Sequence, residues 1–377
     1  MRIAINADIL QSPRTGIGNY VAGLFGALQA RADMDIALYC RWRWSGELPT
    51  APTPGYTRWA RLAKAVVPAA YQMRRGLAQH FFSSGLKRIR PSLYHEPSLW
   101  PLEFDGPMVM TVHDLTHVRY PETQPPKRLK EIERRLYTGL TRARRILVDS
   151  QFIGQEVIAY FGVAPEKVVV APLACAGVFV PRTAAETAVA LRRLGLQYRS
   201  FMLCVGTLEP RKNMVLALRA HARLPLALRQ AFPLVLVGMA GWGEHSFSAE
   251  LAVAVRTGHV RLLGYLGQVE LAQLTASARA LVFPSIYEGF GLPALEAMAS
   301  ATPVIVSDQA SLPEVVGAAG CLVSAFDSDA LTQAMQVLIE DKQTWLTQQA
   351  QGLARASQFS WDRCAQITAG AYMQCLN

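Results

Sequence analysis

Between Leu48 and His95 the 377-residue chain has no aspartate or glutamate. The cations Arg58, Arg61, Lys64, Arg74, Arg75, Lys87, Arg88 and Arg90 fall in that gap, interleaved with Trp59, Tyr71, Phe81 and Phe82. A stretch without acids cannot neutralise itself, so the formal net charge of +10 is concentrated there. It fits an anionic membrane surface or a lipid diphosphate, with a solvated basic helix face as the plain alternative. No nucleic-acid motif accompanies the charge, so no nucleic-acid partner is expected over residues 57–90. Long apolar runs are also missing: PLVLVGMAGW, at 233–242, is too short to span a bilayer. Asn6 and Asp8 interrupt residues 1–10, which read as a first strand and not a signal peptide, so a cytoplasmic protein is expected. The six cysteines have no metal-ligand spacing, which argues against zinc and disulfides. Hydrophobic residues nevertheless make up 51% of the chain, enough for two folded domains.

What is present is organised around residues 282–307, VFPSIYEGFGLPALEAMASATPVIVS. An apolar run at 280–283 fits a buried parallel strand, which ends at Pro284 and gives way to a loop over 285–291. Pro293 sits in the first turn of the next helix, where a missing N–H costs least. Gly289, Phe290, Gly291 and Leu292 therefore bring backbone amides to the positive end of a helix, an arrangement suited to a diphosphate. Glu288 and Glu296 flank that loop, with seven residues between them. Taken alone, the stretch is also compatible with an ordinary strand-loop-helix in which Glu296 is a favourable N-terminal charge.

Other strand ends carry matching chemistry. Gly16 and Gly18 lie between a first strand at 2–7 and a helix expected over 21–30, where glycine lets backbone approach an anion or simply makes a turn. His113 and Asp114 fall just past a strand at 108–112, the edge at which open α/β sheets collect ligands. Arg211 and Lys212 follow a strand at 201–205 and precede a helix at 214–223. Together they offer a planar fork and a point charge to a diphosphate. Cations there oppose the helix dipole and need compensation. Gly241 follows another strand, where a nucleotide base can rest. Residues 181–199 lose the strand-helix rhythm and are read as the linker.

The strings Thr-Gly-Ile-Gly-Asn-Tyr, His-Asp-Leu, Gly-Thr-Leu-Glu-Pro-Arg-Lys-Asn and Glu-x7-Glu with its internal Gly-Phe-Gly-Leu-Pro fall in that order over nearly the whole chain. Together they resemble the retaining glycosyltransferases of family 4, of the bacterial surface-polysaccharide mannosyl- or rhamnosyltransferase type. The resemblance implies a GT-B fold: two Rossmann-like α/β domains with parallel sheets facing a central cleft, residues 1–180 binding acceptor and 195–345 binding donor. A C-terminal helix at about 359–377 is expected to return to the first domain. It implies transfer of mannose or rhamnose, from GDP-mannose or GDP-rhamnose, to a lipid-diphosphate-linked saccharide in lipopolysaccharide O-antigen synthesis at the inner face of the membrane. A UDP-sugar donor, a sugar-nucleotide 2-epimerase and a basic peripheral membrane adaptor are the alternatives. By the resemblance, Arg211, Lys212 and the glycine loops hold the donor diphosphate and Glu296 the ribose. Gly241, Tyr265 and Leu266 hold the base, while His113, Asp114 and Glu288 lie at the reacting sugar. His95, Glu96 and Tyr120 line the acceptor side. No metal or other cofactor is expected.

Overall fold

The computed structural model describes residues 1–11, 16–49, 68–123, 126–239 and 247–376, backbone only at 68–72, 127 and 247–249. The chain divides into two compact units, Met1–Leu173 with Trp361–Asn377, and Ala174–Ser360. Among the described residues the first unit holds β1 (Arg2–Asn6), β2 (Asp35–Cys40), β3 (Arg43–Ser45), β4 (Leu93–Glu96), β5 (Met108–Val112), β6 (Arg145–Val148) and β7 (Val168–Val170). They form one sheet in the order β3-β2-β1-β4-β5-β6-β7, parallel except for the edge pair β2–β3. Strands such as MVMTV are buried along their whole length, which is why they read as continuous apolar runs and not as alternation.

The second unit repeats this plan with β8 (Met202–Val205), β9 (Leu234–Val237), β10 (Val260–Gly264), β11 (Ala280–Phe283), β12 (Val304–Ser307) and β13 (Cys321–Val323). Their order is β10-β9-β8-β11-β12-β13, and every pair is parallel. The winding reverses between β1 and β4 in one sheet and between β8 and β11 in the other. At such a switch point the loops leave in opposite directions and open a crevice beyond the strands' carboxyl ends.

The final helix, Trp361–Leu376, belongs to the first unit and packs on the helix Gly16–Gln29 and on β4 to β7. Its buried face is small, with Cys364, Ala365, Thr368, Ala369 and Ala371, so it lies close to its neighbours. Gly23 is required at this crossing: a Cβ there would stand 2.2 Å from the Trp361 ring. A buried chain of hydrogen bonds locks the helix to the sheet, from Tyr20 hydroxyl to Thr111 Oγ1 (2.9 Å), Thr111 Oγ1 to His95 Nε2 (2.7 Å) and His95 Nδ1 to Tyr372 hydroxyl (2.7 Å).

The structure corrects several expectations. His95 is 0% exposed, has both ring nitrogens engaged, and is pushed down by burial to a pKa of about 3. It is a neutral core histidine, not an acceptor-side group. Glu96 is equally buried and receives hydrogen bonds from Asn6 Nδ2 and the Tyr94 hydroxyl on one oxygen, and from the Ser98 amide and hydroxyl on the other. Those donors saturate the carboxylate, and its role is to tie β1 to β4 across the switch point. Residues 181–199 are not a linker. They contain the helix Ala184–Leu194, begun by a reciprocal Thr183–Glu186 capping box, inside the second unit. The second unit also extends past residue 345 through a further helix, Lys342–Ala356. Gly16 and Gly18 lie in the first turn of their helix instead of before it, because that helix starts five residues earlier than residue 21.

Tyr372→Phe removes the His95 Nδ1 partner while keeping the ring's volume. It is expected to cost about 1–3 kcal/mol, measured as a lower urea midpoint at an unchanged m-value.

Candidate functional site

In the second unit the two strands that flank the switch point each deliver part of one charged cluster. After β8 the chain makes a short turn, Pro210–Lys212, and after β11 it runs through Pro284 to Glu288. The two loops are stitched together: the Ile286 amide donates to Arg211 O (2.8 Å), and Asn213 Nδ2 donates to Pro284 O (3.1 Å) and Ala325 O (2.7 Å). Lys212 Nζ then bonds Glu288 Oε1 at 2.6 Å, and Arg211 reaches Glu288 Oε2 at 3.3 Å. The same guanidinium donates to Tyr287 O (2.9 Å) and pairs with Glu209 at 2.8 Å. Lys212 and Glu288 are 9% and 6% exposed, so these charges are largely out of water. Burial pushes the Glu288 carboxyl up, but Lys212 and Arg211 outweigh it and hold the group below the ordinary glutamate range. The compensation demanded by two cations ahead of the helix Met214–Arg223 is therefore supplied by Glu209 and Glu288.

Directly after Glu288 the backbone opens. Gly291 has φ +98° and precedes the helix Leu292–Ala299, and a Cβ there would overlap Leu312 Cδ2 at 2.5 Å. Only glycine meets both conditions. The amides of Ala294 and Leu295 fold back on Gly291 O, and Pro293 has none. The amides of Phe290, Gly291 and Leu292 have no hydrogen-bond partner among the described residues. The Phe290 ring is buried edge-on against Phe359.

Glu296, one turn further on, is 7% exposed and has no ion-pair partner among the described residues. Burial alone pushes its pKa up to about 8. Tyr265 and Leu266 follow β10 at the same carboxyl edge of the sheet, Tyr265 exposed and Leu266 half-buried. Gly241 lies outside the described residues.

The first unit holds its own group at the matching edge. His113 follows β5 and Asp149 follows β6, and because Val112 is paired with Val148, the two fall opposite each other in the next register position. His113 Nδ1 lies 2.6 Å from Asp149 Oδ2, and Nε2 lies 3.0 Å from Pro97 O. Burial works against a charged ring, yet Asp149 overrides it and raises the His113 pKa above the ordinary value. Asp114 accepts the Thr116 amide at 2.9 Å and so shapes the loop after His113. Tyr120 is half-buried beyond the short helix Thr116–Arg119. Asp149 and Glu209 were not singled out in the sequence, although each stands immediately beyond a strand or beside a motif cation. A separate cavity of about 370 Å³ lies between the helices Pro68–Ile89 and Pro126–Arg142, lined by Arg75, Gln79, Glu103, Glu131, Arg134 and Arg135. It shares no residue with either group.

Comparison with known proteins gives the family. A profile described as Glycosyltransferase Family 4 matches residues 14–174, and one described as Glycosyl transferases group 1 matches residues 194–354. The O-antigen chain mannosyltransferase B of Escherichia coli is 32% identical over 378 residues, covering 99% of this chain and 99% of that protein. The chain belongs to glycosyltransferase family 4. Among solved structures, this glycosyltransferase resembles sucrose-phosphate synthase from Thermosynechococcus elongatus, with a TM-score of 0.77, 22% identity and coverage of 99% and 98%. It also resembles WaaG, described as a glycosyltransferase involved in lipopolysaccharide biosynthesis, with a TM-score of 0.71, 17% identity and coverage of 98% and 99%. Those likenesses establish the GT-B fold for the glycosyltransferase.

Glu296 yields a signed pH prediction. Its folded pKa of about 8 lies above the unfolded value of about 4.3, so folding carries no penalty from it below about pH 4. The penalty grows as pH rises between the two values and is full above pH 8. Glu296→Gln is expected to unfold at the same urea midpoint as the parent near pH 4.5. At pH 8.5 without ligand it should be more stable by a few kcal/mol, since each unit of displacement is worth about 1.4 kcal/mol.

Proposed function

We propose that this glycosyltransferase moves a mannosyl group from GDP-mannose to a lipid-diphosphate-linked saccharide in O-antigen assembly, with retention at the anomeric carbon and without a metal ion. The observation that carries the reading is the switch-point cluster: Arg211 and Lys212 bonded to Glu288, with the spare amides of residues 290–292 following Glu288 in the same loop. Leaving a sugar, a nucleotide diphosphate gains negative charge. A guanidinium, an ammonium and a helix start in a site of low water content stabilise that charge without reorganising. The choice of mannose and of O-antigen rests on the Escherichia coli relative, whose name gives both. Rhamnose has no comparable support.

Within this reading Glu288 has two duties. Before donor binding it keeps Arg211 and Lys212 ionised and in place. Once phosphate oxygens take over those cations, its carboxylate is released toward the sugar, where negative charge favours an oxocarbenium-like state. Glu296 accepts the paired ribose hydroxyls, whose donors compensate the ionised carboxylate that burial alone penalises. Tyr265 and Leu266 offer backbone to the base, and the first-turn amides at Gly16 and Gly18 give the first unit an anion-binding helix start of its own.

The lipid-linked acceptor and the inner membrane surface are supported by the helix Pro68–Ile89. Met73, Leu77 and Phe81 recur every fourth residue on it and are 68%, 42% and 42% exposed, and Phe81 stacks on exposed Trp42. Arg41, Arg43, Arg74, Lys87 and Arg88 are exposed around that stripe. Apolar side chains ringed by cations suit an anionic lipid headgroup layer. The remaining cations of the basic segment, Arg58, Arg61 and Lys64, lie outside the described residues. Among the described residues no helix is long and apolar enough to cross a membrane, so peripheral attachment on the cytoplasmic side is the proposed location.

A thermal-shift series with GDP, UDP and ADP tests the donor site: GDP at 100 times its dissociation constant is expected to add about 2.7 kcal/mol, with a clearly smaller shift for UDP and ADP. Lys212→Ala is expected to abolish the GDP shift and to lower transfer from GDP-mannose by about 100-fold or more. An equal shift for all three nucleotides would remove the assignment of guanine. Sedimentation with phosphatidylglycerol vesicles is the second test. Binding is expected to fall steeply between 50 and 300 mM salt and to weaken in Leu77→Ser/Phe81→Ser, while neutral phosphatidylcholine vesicles bind little.

A further inference from the structure

We propose that Ser311 is the positioning residue for Glu288: its hydroxyl fixes the peptide unit between Glu288 and Gly289 and so holds the Glu288 carboxylate in place for the sugar-transfer step. The inference rests on the preceding reading of Glu288 as the carboxylate at the donor sugar, and every group in it lies in the second unit. Its starting point is a serine that forgoes its usual task. Ser311 stands at the N-cap of the helix Leu312–Val316, where a serine hydroxyl by default accepts an amide hydrogen of the first turn. It makes no such bond. Fully buried, Ser311 Oγ instead donates to Glu288 O at 2.8 Å. The residue before it, Ala310, has φ +54°, a left-handed conformation that a Cβ disfavours. Local preference is overridden at two consecutive residues, and the outcome of both is one bond to the donor loop. A loop carbonyl can be satisfied by an ordered water; a buried hydroxyl that gives up its cap to do so adds position.

That position is transmitted through a planar group. No peptide bond among the described residues is cis, so pinning Glu288 O also sets the direction of the Gly289 amide on the opposite side of the plane. It fixes as well the Glu288 Cα, from which the carboxylate reaches Lys212 and Arg211. Three residues earlier the device is repeated. Ser307 Oγ, at the end of β12, donates to Ser285 O, and on the far side of that peptide the Ile286 amide donates to Arg211 O at 2.8 Å. Two hydroxyls from the β12 side thus grip the loop at 285 and 288, and the turn that carries the cations grips it at 286. The brace is itself anchored. Arg355, in the helix Lys342–Ala356, donates Nη2 to Glu314 O at 2.7 Å and Nε to Val315 O at 2.9 Å, which ties down the far end of the short helix. The Arg355 guanidinium lies 5.0 Å over the Phe359 ring, and Phe359 packs edge-on against Phe290. Leu312 occupies the space that a Cβ at Gly291 would need. A five-residue helix held at both ends acts as a strut behind the loop.

The test is made on the full-length protein with GDP-mannose and a synthetic lipid-diphosphate saccharide acceptor. Ser311→Ala is expected to lower kcat by at least about 10-fold, within the roughly 100-fold that an ångström of misplacement can cost. KM for GDP-mannose should change by less than about 3-fold, because Arg211 and Lys212 remain to hold the donor phosphates. Ser311→Thr keeps the hydroxyl, and Ser311→Val puts a methyl group in its place at the same shape. Thr is expected to hold kcat within about 3-fold of the parent, and Val to lose as much as Ala. Should Ser311→Ala fail to fold, the Thr and Val pair decides by itself. Hydrogen exchange over residues 285–292, read by mass spectrometry, gives a readout without substrate: it is expected to be at least about 10-fold faster in Ala and Val than in the parent and Thr. Equal kcat in Thr and Val, or a lowered urea midpoint with kcat unchanged, overturns the proposal. If the parent transfers nothing from GDP-mannose while exchange still separates Thr from Val, the donor reading fails and the hold of Ser311 on the loop stands.

Discussion

Three charges held out of water at one point of a sheet are the constraint on which the second unit depends. A lysine or a glutamate buried singly would neutralise itself by a shift in pKa. Lys212 and Glu288 are kept ionised by one another, with Arg211 divided between Glu288 and Glu209. That solution requires the end of β8 and the end of β11 to be adjacent, which only the reversal of winding between them provides. The loops are accordingly cross-linked by backbone and by Asn213, because a charge pair that drifted by an ångström would lose its compensation. The same arrangement is what an anionic ligand needs, since cations already stripped of water bind phosphate without a further desolvation cost.

Much of this was legible before any coordinates, and for a reason particular to buried parallel sheets. Strands such as ALVF and RILV run apolar on both faces once inside the sheet, so the polar residues that follow mark a strand end. His113 stands out in this way directly after β5, and Arg211, Lys212 and Glu288 stand out in the loops that follow β8 and β11. What could not be read is which strand ends become neighbours. Asp149 follows RILV as plainly as His113 follows MVMTV, but only the β5–β6 register makes them partners. His95 and Glu96 show the converse error: both sit at the end of β4, yet their hydrogen bonds are all used internally. The helix Ala184–Leu194 has scattered charge and a weak apolar rhythm, and its one plain sequence signal is the capping box that Thr183 and Glu186 spell out.

The two units handle buried polarity in opposite ways, and the difference separates scaffold from site. The chain from Tyr20 through Thr111 and His95 to Tyr372 is neutral, and each oxygen or nitrogen in it already has a partner inside the protein. Exchanging any of those bonds for a ligand would leave another group unsatisfied, so the network can only hold the final helix in place. Around Gly291 the balance is reversed: three amides and the Glu296 carboxylate are left for something else to satisfy, and the ion pairs beside them can be traded for phosphate without loss of charge compensation. His113 stands between these cases. Its ring is fully bonded like the scaffold, to the Pro97 carbonyl and to Asp149, yet it stands at a strand end, and the bond to Asp149 cannot be broken without stranding a buried group whose other oxygen has no partner.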